Sequence, residues 1–491
     1  MTARQNAHAP HKLAAASSER QEDSIAAKWS RNVAIAFFVS ALCVVYLSHG
    51  AVYPEAISIS TLLMSVSLML GYLTLGVPPA TRNVFLGILC IWLFVAAWTI
   101  MQAMPLPAGM TGNAAWRVLQ DIGIASPEFI SPAPADTLAA LGPISLPAIT
   151  LLSVLILFRR DTEIERALRV FCVAGGLMAA FAILQFIAFP RALMLTDKQY
   201  YLGSLTAPFV NRNTAATFYG VTLVAMICQL KGLRVRLIPG SDLFYRRDGW
   251  TPLEAAGWLL LCLVTLTAVV LTQSRGGVLA TTVALMGQIA FSVFFRTDGN
   301  QSTGISQAWT GLSVQQLLKA AAFAVVAIVV VGFFAGRVML RAQVQGLDDG
   351  RVCVIPGILA ATRDHLLVGA GAGAFPVLFP AYRDAACGLN GYWPMAHNFY
   401  LDGLLALGLP FVVITGFFIA MLARAVGVGL RRRRKKRSIV AAAACATVLV
   451  LIHSATDFSV QIPGFSTWWV LFLGLCLTVA YGRRTMVRIK N

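Results

Sequence analysis

One histidine stands where an apolar helix is expected to begin. The segment 393–402 ends the longest polar interval of a very apolar sequence, and an apolar run over residues 399–422 follows it. A neutral histidine accepts a proton near neutral pH, so His397 could act as a general base. Asn398 beside it is a natural N-cap, because its side-chain oxygen can accept a hydrogen bond from a free backbone N–H. The alternative interpretation is that His397 is only a polar residue at the membrane interface.

Two arginines occupy positions equivalent to that of His397. Arg212 precedes the sixth apolar run of the chain, and Arg275, in Ser274-Arg275-Gly276-Gly277, precedes the eighth. Helix N-termini carry unpaired N–H groups and partial positive charge, so they bind phosphate, and arginine adds bidentate donors. If the three helix ends converge, the sequence predicts a phosphate-binding pocket with a histidine base beside it. The alternative for each arginine is an interfacial cation that snorkels to the membrane surface.

The composition is that of a membrane protein. Of the 491 residues, 58% are hydrophobic and only 12% are charged, and the mean hydropathy is +0.73. These values lie far outside the range of soluble domains. Apolar runs long enough to cross about 30 Å of hydrocarbon predict an all-α, polytopic fold with about twelve transmembrane helices. The runs are residues 33–49, 56–77, 84–104, 138–158, 167–189, 214–230, 252–272, 278–295, 317–336, 399–422, 439–453 and 465–481.

The distribution of basic residues orients these helices. If both termini lie inside, the inner segments hold 29 of the 39 Lys and Arg residues. This asymmetry follows the positive-inside rule and predicts cytoplasmic termini. The basic run 431–437 is therefore interpreted as a topology signal rather than as a nucleic-acid site. The expected divisions are a disordered cytoplasmic tail (1–31), helices one to nine (32–336), a large outer loop (337–397), helices ten to twelve (398–482) and a second cytoplasmic tail (483–491).

Several other polar segments lie on the predicted outer face. The Pro-rich segment 105–136 is expected to be an irregular loop on the membrane. The glycine-rich segment 367–375 is interpreted as a tight loop and not as a nucleotide site, because no βαβ unit surrounds it. Cys353 and Cys387 lie in the large outer loop, where a disulfide and two unpaired thiols are both open interpretations. No Cys or His spacing typical of a structural zinc site occurs.

Five short motifs occur in order along the chain. They are Phe209-Val210-Asn211-Arg212-Asn213, Ser274-Arg275-Gly276-Gly277, Gly369-x-Gly371-x-Gly373-x-Phe375, Ala396-His397-Asn398-x-x-Leu401 and His453-x-x-x-Asp457-Phe458. Taken together, they resemble the motifs of the O-antigen ligase and O-antigen polymerase superfamily, whose members are polytopic glycosyltransferases of the bacterial inner membrane.

The resemblance implies a function in lipopolysaccharide or polysaccharide biosynthesis. The donor would be a glycan on undecaprenyl diphosphate at the periplasmic face, and the acceptor would be a hydroxyl of lipid A-core or a similar glycolipid. By analogy, Arg212 and Arg275 would bind the diphosphate and His397 would deprotonate or orient the acceptor. The expected supporting residues are Asn398, Asp457 and Arg351. The outer face has no paired-carboxylate motif for a divalent metal, so we expect a metal-independent enzyme without a cofactor.

Three alternatives stay open. A polymerase of O-antigen or exopolysaccharide, or an oligosaccharyltransferase acting on protein, would differ from a ligase only in the acceptor. A lipid-linked glycan flippase or transporter belongs to a different class. Coupled transporters usually carry ionisable groups near the bilayer midplane or a visible internal repeat, and the sequence shows neither.

Overall fold

The computed structural model describes residues 25–230, 252–294, 350–385, 392–433 and 436–482. Within those residues the only strands are β1 (Ala192–Leu193) and β2 (Thr196–Asp197), which pair antiparallel. The helices are α1 (Ile25–Leu47), α2 (Pro54–Leu75), α3 (Arg82–Gln102), α4 (Ala114–Asp121), α5 (Pro134–Ala139), α6 (Leu141–Leu157), α7 (Asp161–Ala188), α8 (Arg212–Leu230), α9 (Pro252–Leu271), α10 (Arg275–Phe294), α11 (Gly350–Asp364), α12 (Phe375–Leu378), α13 (Phe399–Leu407), α14 (Leu409–Arg432), α15 (Arg437–Ser454) and α16 (Pro463–Tyr481). Short 3₁₀ helices cover Phe379–Tyr382 and Ser459–Gln461.

Ten segments of the described chain are long and apolar enough to cross a membrane. They confirm the prediction of an all-α, multi-pass membrane protein. The segments are Lys28–Leu47, Pro54–Leu75, Arg82–Gln102, Pro134–Leu157, Asp161–Ala188, Arg212–Leu230, Leu253–Leu271, Leu409–Arg432, Arg437–Ser454 and Pro463–Tyr481. The eighth predicted run is helical as α10 but is not among the ten, and the ninth (317–336) lies outside the described residues.

The tenth predicted span, residues 399–422, is wrong in its boundaries. The helix breaks at Gly408, whose φ is +69°, so that α13 ends at Leu407 and the membrane-length helix α14 begins at Leu409. The break follows from local chemistry, because Gly408 adopts the left-handed region readily and Pro410 is best placed in the first turn of a new helix. His397 therefore precedes a short helix that leads into the span, not the span itself.

Two other expectations need correction. Helix α1 begins at Ile25, so residues 25–31 of the expected disordered tail are helical; residues 1–24 lie outside the described chain. The segment 105–136 is not irregular throughout, because it contains α4 and the start of α5. Helix α4 begins where the side chain of Asn113 accepts a hydrogen bond from the backbone N–H of Ala115 at 3.1 Å, which is N-capping that a search for apolar runs does not detect.

Helix α16 lies at the centre of the bundle, with every residue from Pro463 to Ala480 buried. A helix that is apolar on all sides must be surrounded by other elements. Trp468 packs its ring against Phe171 at 3.9 Å and against Phe218 of α8 at 4.7 Å, between ring centroids. Its indole N–H also donates to Thr222 at 2.9 Å. These contacts fix α8 against α16, and α8 begins at Arg212.

Charged and polar residues collect at the two ends of the bundle. We call the end formed by residues 189–211, 272–275, 392–398 and 453–462 the site end. The opposite end is called the ion-pair end, because Arg31 pairs with Glu163 at 2.9 Å and Lys436 pairs with Asp161 at 3.0 Å. Arg433 also contacts Asp161 there. These pairs connect α1, α7 and the turn between α14 and α15.

Candidate functional site

The N-termini of α8, α10 and α13 all contact one segment, residues 453–458, which we call the hub loop. From α8, the side-chain amide of Asn213 donates to a carboxylate oxygen of Asp457 at 2.9 Å. From α10, a Cβ added to Gly276 would lie 3.0 Å from side-chain atoms of the hub loop, so α10 begins in close contact with that loop. From α13, the side-chain amide of Asn398 donates to a hub-loop carbonyl at 2.9 Å. The structure therefore brings three helix N-termini to one place.

At the start of α13, Asn398 is the N-cap that the sequence predicts. Its side-chain oxygen accepts from the backbone N–H groups of Tyr400 and Leu401 at 3.0 and 3.1 Å. His397 precedes it with a φ of +53°, a region that non-glycine residues seldom occupy. The half-buried imidazole lies against the ring of Phe458, 4.8 Å away between ring centroids. This contact holds the histidine beside the hub loop.

Asp402, in the first turn of α13, is a buried carboxyl group that sequence reasoning did not select. It accepts a hydrogen bond from the backbone N–H of Ala396 at 3.0 Å and so fixes the chain immediately before His397. Burial raises the pKa of Asp402 above its ordinary value, although hydrogen bonds from Ala396 and from Gln461 oppose that shift. A protonated Asp402 would therefore be easier to bury than the carboxylate.

Arg212 is the first residue of α8 and is half-buried at the site end. Its guanidinium lies 3.4 Å from the hydroxyl of Ser204 and 5.3 Å from the ring centroid of Tyr201. The preceding residue, Asn211, accepts a hydrogen bond from the N–H of Asn213 at 2.8 Å through its side chain. Asn211 therefore caps α8. The helix begins earlier than the apolar run 214–230 alone suggests.

Arg275 is the first residue of α10, and its side chain is exposed. The hydroxyl of Ser274 caps the helix by accepting from the N–H of Gly277 at 3.2 Å. A Cβ on Gly277 would lie 2.4 Å from the Cβ of Ala216, so α10 begins in direct contact with α8. The arginine therefore projects from a turn that packs beside the first turn of α8.

The loop next to Arg212 is tied to the turn before Arg275. The side chain of Gln273 donates to the carbonyl of Gly203 at 2.7 Å, and the N–H of Leu205 donates to the carbonyl of Leu271 at 2.9 Å. The two arginines thus flank a pair of turns held together by hydrogen bonds. Two guanidinium groups on adjoining turns suit an anion with several oxygen atoms.

Lys198 is a further cation at the site end that sequence reasoning missed. It is 8% exposed, and its ammonium donates to the carbonyl of Ser204, the residue whose hydroxyl contacts Arg212. Burial lowers the pKa of Lys198 from its ordinary value. Lys198 is the one lysine on the predicted outer face, but nothing in the sequence indicates that it is buried.

A buried polar network connects the hub loop to α8. The ring of His453 lies 2.7 Å from the hydroxyl of Thr217, which also donates to the carbonyl of Asn213 at 2.8 Å. Asp457 is fully buried and accepts from Asn213 and from the hydroxyl of Ser459. Asp457 therefore fixes the start of α8 and its own loop through these hydrogen bonds. Among the described residues, no hydrogen bond joins Asp457 to His397.

The glycine-rich segment is a tight loop, as predicted, and it packs against the end of α13. Gly369, Gly371 and Gly373 all have positive φ. The N–H of Ala370 donates to the carbonyl of Leu405 at 2.7 Å. A Cβ on Gly369 would lie 2.3 Å from another carbonyl oxygen at the end of α13. The loop thus holds the helix that follows His397.

The remaining predicted residues of the large loop are only partly described. Arg351 belongs to α11, and its side chain lies outside the described residues. Cys353 is disulfide-bonded, whereas Cys387 lies outside the described residues. In the part of the chain that the structure describes, no group of three or more His, Cys, Asp or Glu side chains could hold a metal ion.

The fold and the site define a multi-pass, all-α membrane protein with arginine and histidine at neighbouring helix N-termini. Residues 260–416 match the family model for O-antigen ligase, which confirms the resemblance of this chain to the O-antigen ligase superfamily. The matched segment includes Arg275 and His397, while Arg212 and the hub loop lie outside it. The family indicates a glycosyltransferase-like enzyme. No curated protein shows a significant match to the chain.

Proposed function

We propose that the protein is a glycosyltransferase of the O-antigen ligase type. It would move a glycan from undecaprenyl diphosphate to a hydroxyl of lipid A-core or a similar acceptor. The observation that carries this proposal is the meeting of the α8, α10 and α13 N-termini at the hub loop. That meeting gathers Arg212, Arg275 and His397 at one end of a membrane bundle, where a lipid-linked substrate would enter from the bilayer.

The two arginines would bind the diphosphate of the donor. When the glycosidic bond breaks, negative charge develops on the leaving diphosphate, and fixed positive groups stabilise that charge most when they are already in position. Arg212 is held at the site by Ser204 and Tyr201, and Lys198 supports the same loop. Arginine chemistry would thus serve the role that a divalent metal often has in glycosyl transfer.

His397 would serve as the base. Its imidazole would take the proton of the acceptor hydroxyl as the oxygen attacks the anomeric carbon, the bond from that carbon to the diphosphate breaks, and undecaprenyl diphosphate leaves. Direct attack would invert the anomeric configuration. Support comes from the position of His397 beside the capped start of α13 and against Phe458, which limits the motion of the ring. Asn398 and Asp457 would hold the helix ends in place.

The proposed location is the bacterial inner membrane, with both termini in the cytoplasm and the site end in the periplasm. The charge distribution supports this orientation. The ion-pair end includes Arg433 and Lys436 of the basic run and lies beside Arg159 and Arg160, whereas the site end carries few cations outside the site. Cytoplasmic segments of membrane proteins carry the excess of Lys and Arg.

A transfer assay tests the proposal. Purified protein in detergent with a chelator would receive undecaprenyl-diphosphate glycan, with or without lipid A-core, and His397→Ala would be compared with wild type. His365→Ala is the matched control, because His365 is also a half-buried histidine of the large loop. We expect glycosylated lipid A-core from wild type and from the control, and a loss of about 10²-fold or more in His397→Ala.

Three outcomes would revise the proposal. Lengthening of the donor glycan without any acceptor would make the protein a polymerase. Activity that disappears with chelator would contradict the metal-independent mechanism. Donor binding without any transfer, in wild type as in the variant, would contradict catalysis and favour a flippase.

A further inference from the structure

An apolar groove lies between α2 and α3, far from the site end. The two helices are consecutive in the chain, yet each packs against α6 and they make little direct contact with each other. The space left between them has a volume of about 920 Å³. Leu152 of α6 contributes to its floor, and Met69 and Leu86 contribute to its two walls.

The groove is mostly apolar, and Ser65, Tyr72, Arg82 and Trp92 are the lining residues whose side chains carry a polar group. Ser65 donates its hydroxyl to the carbonyl of Thr61 in its own helix at 2.7 Å, and Trp92 donates its indole N–H to Ser145 at 3.0 Å. The other side chains along the walls are mostly aliphatic or aromatic. A cavity of this kind favours hydrocarbon over water.

The length of the groove matches one leaflet of a bilayer. Its walls run from Ser65 to Gly76 and from Arg82 to Trp92, which correspond to about 17 Å and about 15 Å of helix at 1.5 Å per residue. The hydrocarbon core of a bilayer is about 30 Å thick, so each wall covers about half of it. The groove therefore has about the length of one leaflet.

The surface end of the groove carries a positive charge. Arg82 lines the groove at this end and is exposed. Within the described part of the chain, the ion pairs involve other residues and none includes Arg82. The nearby Arg159 donates instead to the carbonyls of Leu75 and Gly76, which end α2. Arg82 is thus placed to contact an anion at the membrane surface.

We propose that the groove binds an anionic phospholipid in the leaflet at the ion-pair end. One acyl chain occupies the apolar length between α2 and α3, and the headgroup phosphate contacts Arg82. A zwitterionic lipid would fill the same apolar space, but its headgroup would gain less binding energy from contact with Arg82. The proposal does not depend on the proposed glycosyl transfer, because the groove shares no residue with the site end.

Photo-crosslinking in lipid nanodiscs tests this proposal. Phosphatidylglycerol and phosphatidylethanolamine with a diazirine on one acyl chain would be compared as probes, and adducts would be mapped by peptide mass spectrometry. We expect adducts at Met69 and Leu86, with phosphatidylglycerol preferred about fivefold, as one basic residue near an anionic lipid suggests. Arg82→Gln should remove the preference.

Two further variants make the result specific. Arg166→Gln, another exposed arginine at the ion-pair end, should leave the preference unchanged. Leu86→Trp should fill the groove and abolish the adducts at Met69. Equal labelling by both lipids, or a preference that persists in Arg82→Gln, would overturn the headgroup contact. Absence of lipid adducts in the groove of the wild-type protein would overturn the lipid as occupant.

Discussion

The two ends of the bundle use their carboxylates in different ways. At the ion-pair end, Asp161 bonds with Lys436 and Arg433, so opposite charges neutralise each other. At the site end, the fully buried Asp457 bonds with an amide and a hydroxyl, Asn213 and Ser459. The ion-pair end thus connects helices through charge pairs that are mostly partly buried, whereas the site end positions helix N-termini through a buried network that includes a carboxylate.

This difference predicts how strongly substitutions at each end change stability and function. Exposed ion pairs contribute little to stability because water screens them, whereas a buried polar group that loses its partner costs its full desolvation energy. We therefore expect substitutions in the site-end network to have large effects on both stability and function. Substitution of an exposed ion-pair partner at the opposite end, such as Glu165, should have small effects on both.

The largest effect is expected for Asp457→Ala. The variant leaves the amide of Asn213 and the hydroxyl of Ser459 buried without their acceptor, at a cost of about 3 kcal/mol in the free energy of unfolding. Thermal unfolding in detergent, followed by intrinsic fluorescence, measures the effect. Asp457→Asn should recover part of the stability, because it keeps an acceptor. An unchanged unfolding temperature in Asp457→Ala would contradict the role assigned to the network.

A smaller loss is expected for Gly369→Ala. The added methyl group would meet a carbonyl oxygen at 2.3 Å, and the residue has a φ of +75°. We expect a loss of about 2 kcal/mol, since left-handed backbone costs a non-glycine residue about 1 kcal/mol and the close contact adds to it. Gly416→Ala is the control, because nothing lies within 4 Å of a Cβ at that position. Equal stability of the two variants would contradict the packing of the loop on α13.

The effect of Asp402→Asn should depend on pH. Because the folded-state pKa of Asp402 is raised, the protonated group contributes stability that is fully present below the ordinary pKa of 3.8 and is lost as pH rises through the folded-state pKa. The unfolding temperature of wild type should therefore fall relative to that of Asp402→Asn, which does not titrate, as pH rises from about 4 to about 7. Thermal unfolding of both proteins across this pH range measures the effect. A temperature difference that stays constant with pH would contradict the raised pKa.

The smallest effect is expected for Glu165→Gln at the ion-pair end. Glu165 pairs with Lys436 at 2.9 Å, but its side chain is 42% exposed. We expect a loss of no more than about 0.5 kcal/mol, which salt should reduce further. Thermal unfolding at low and high salt measures it. A loss as large as that in Asp457→Ala would remove the distinction between the two ends.

The parts of this molecule that local chemistry decides were predicted from the sequence. Asn398 caps α13 because an asparagine before an apolar run offers an acceptor to the first N–H groups, and the glycines at 369–373 form a tight loop. The membrane helices followed from hydropathy. The break at Gly408 did not, because the run on both sides of it is apolar and hydropathy alone does not register a change of backbone direction.

The parts that depend on tertiary contacts were not predicted. His453 and Thr217 lie 236 residues apart in sequence, and only packing of α8 against α15 brings them together. The burial of Lys198 and Asp402 likewise results from neighbouring elements. The sequence offered the His453-x-x-x-Asp457 pattern as a signal, but it did not indicate which side chains these two residues contact.

The most direct test measures donor binding and single-turnover transfer on the same preparations of wild type, Arg275→Gln and His397→Gln. The account predicts that Arg275→Gln weakens binding of undecaprenyl-diphosphate glycan by about tenfold or more, since a charged hydrogen bond is lost. It predicts that His397→Gln binds the donor normally and transfers it at least about 10²-fold more slowly. Wild-type transfer by His397→Gln, or wild-type donor binding by Arg275→Gln, would contradict the proposed division between diphosphate binding and base catalysis.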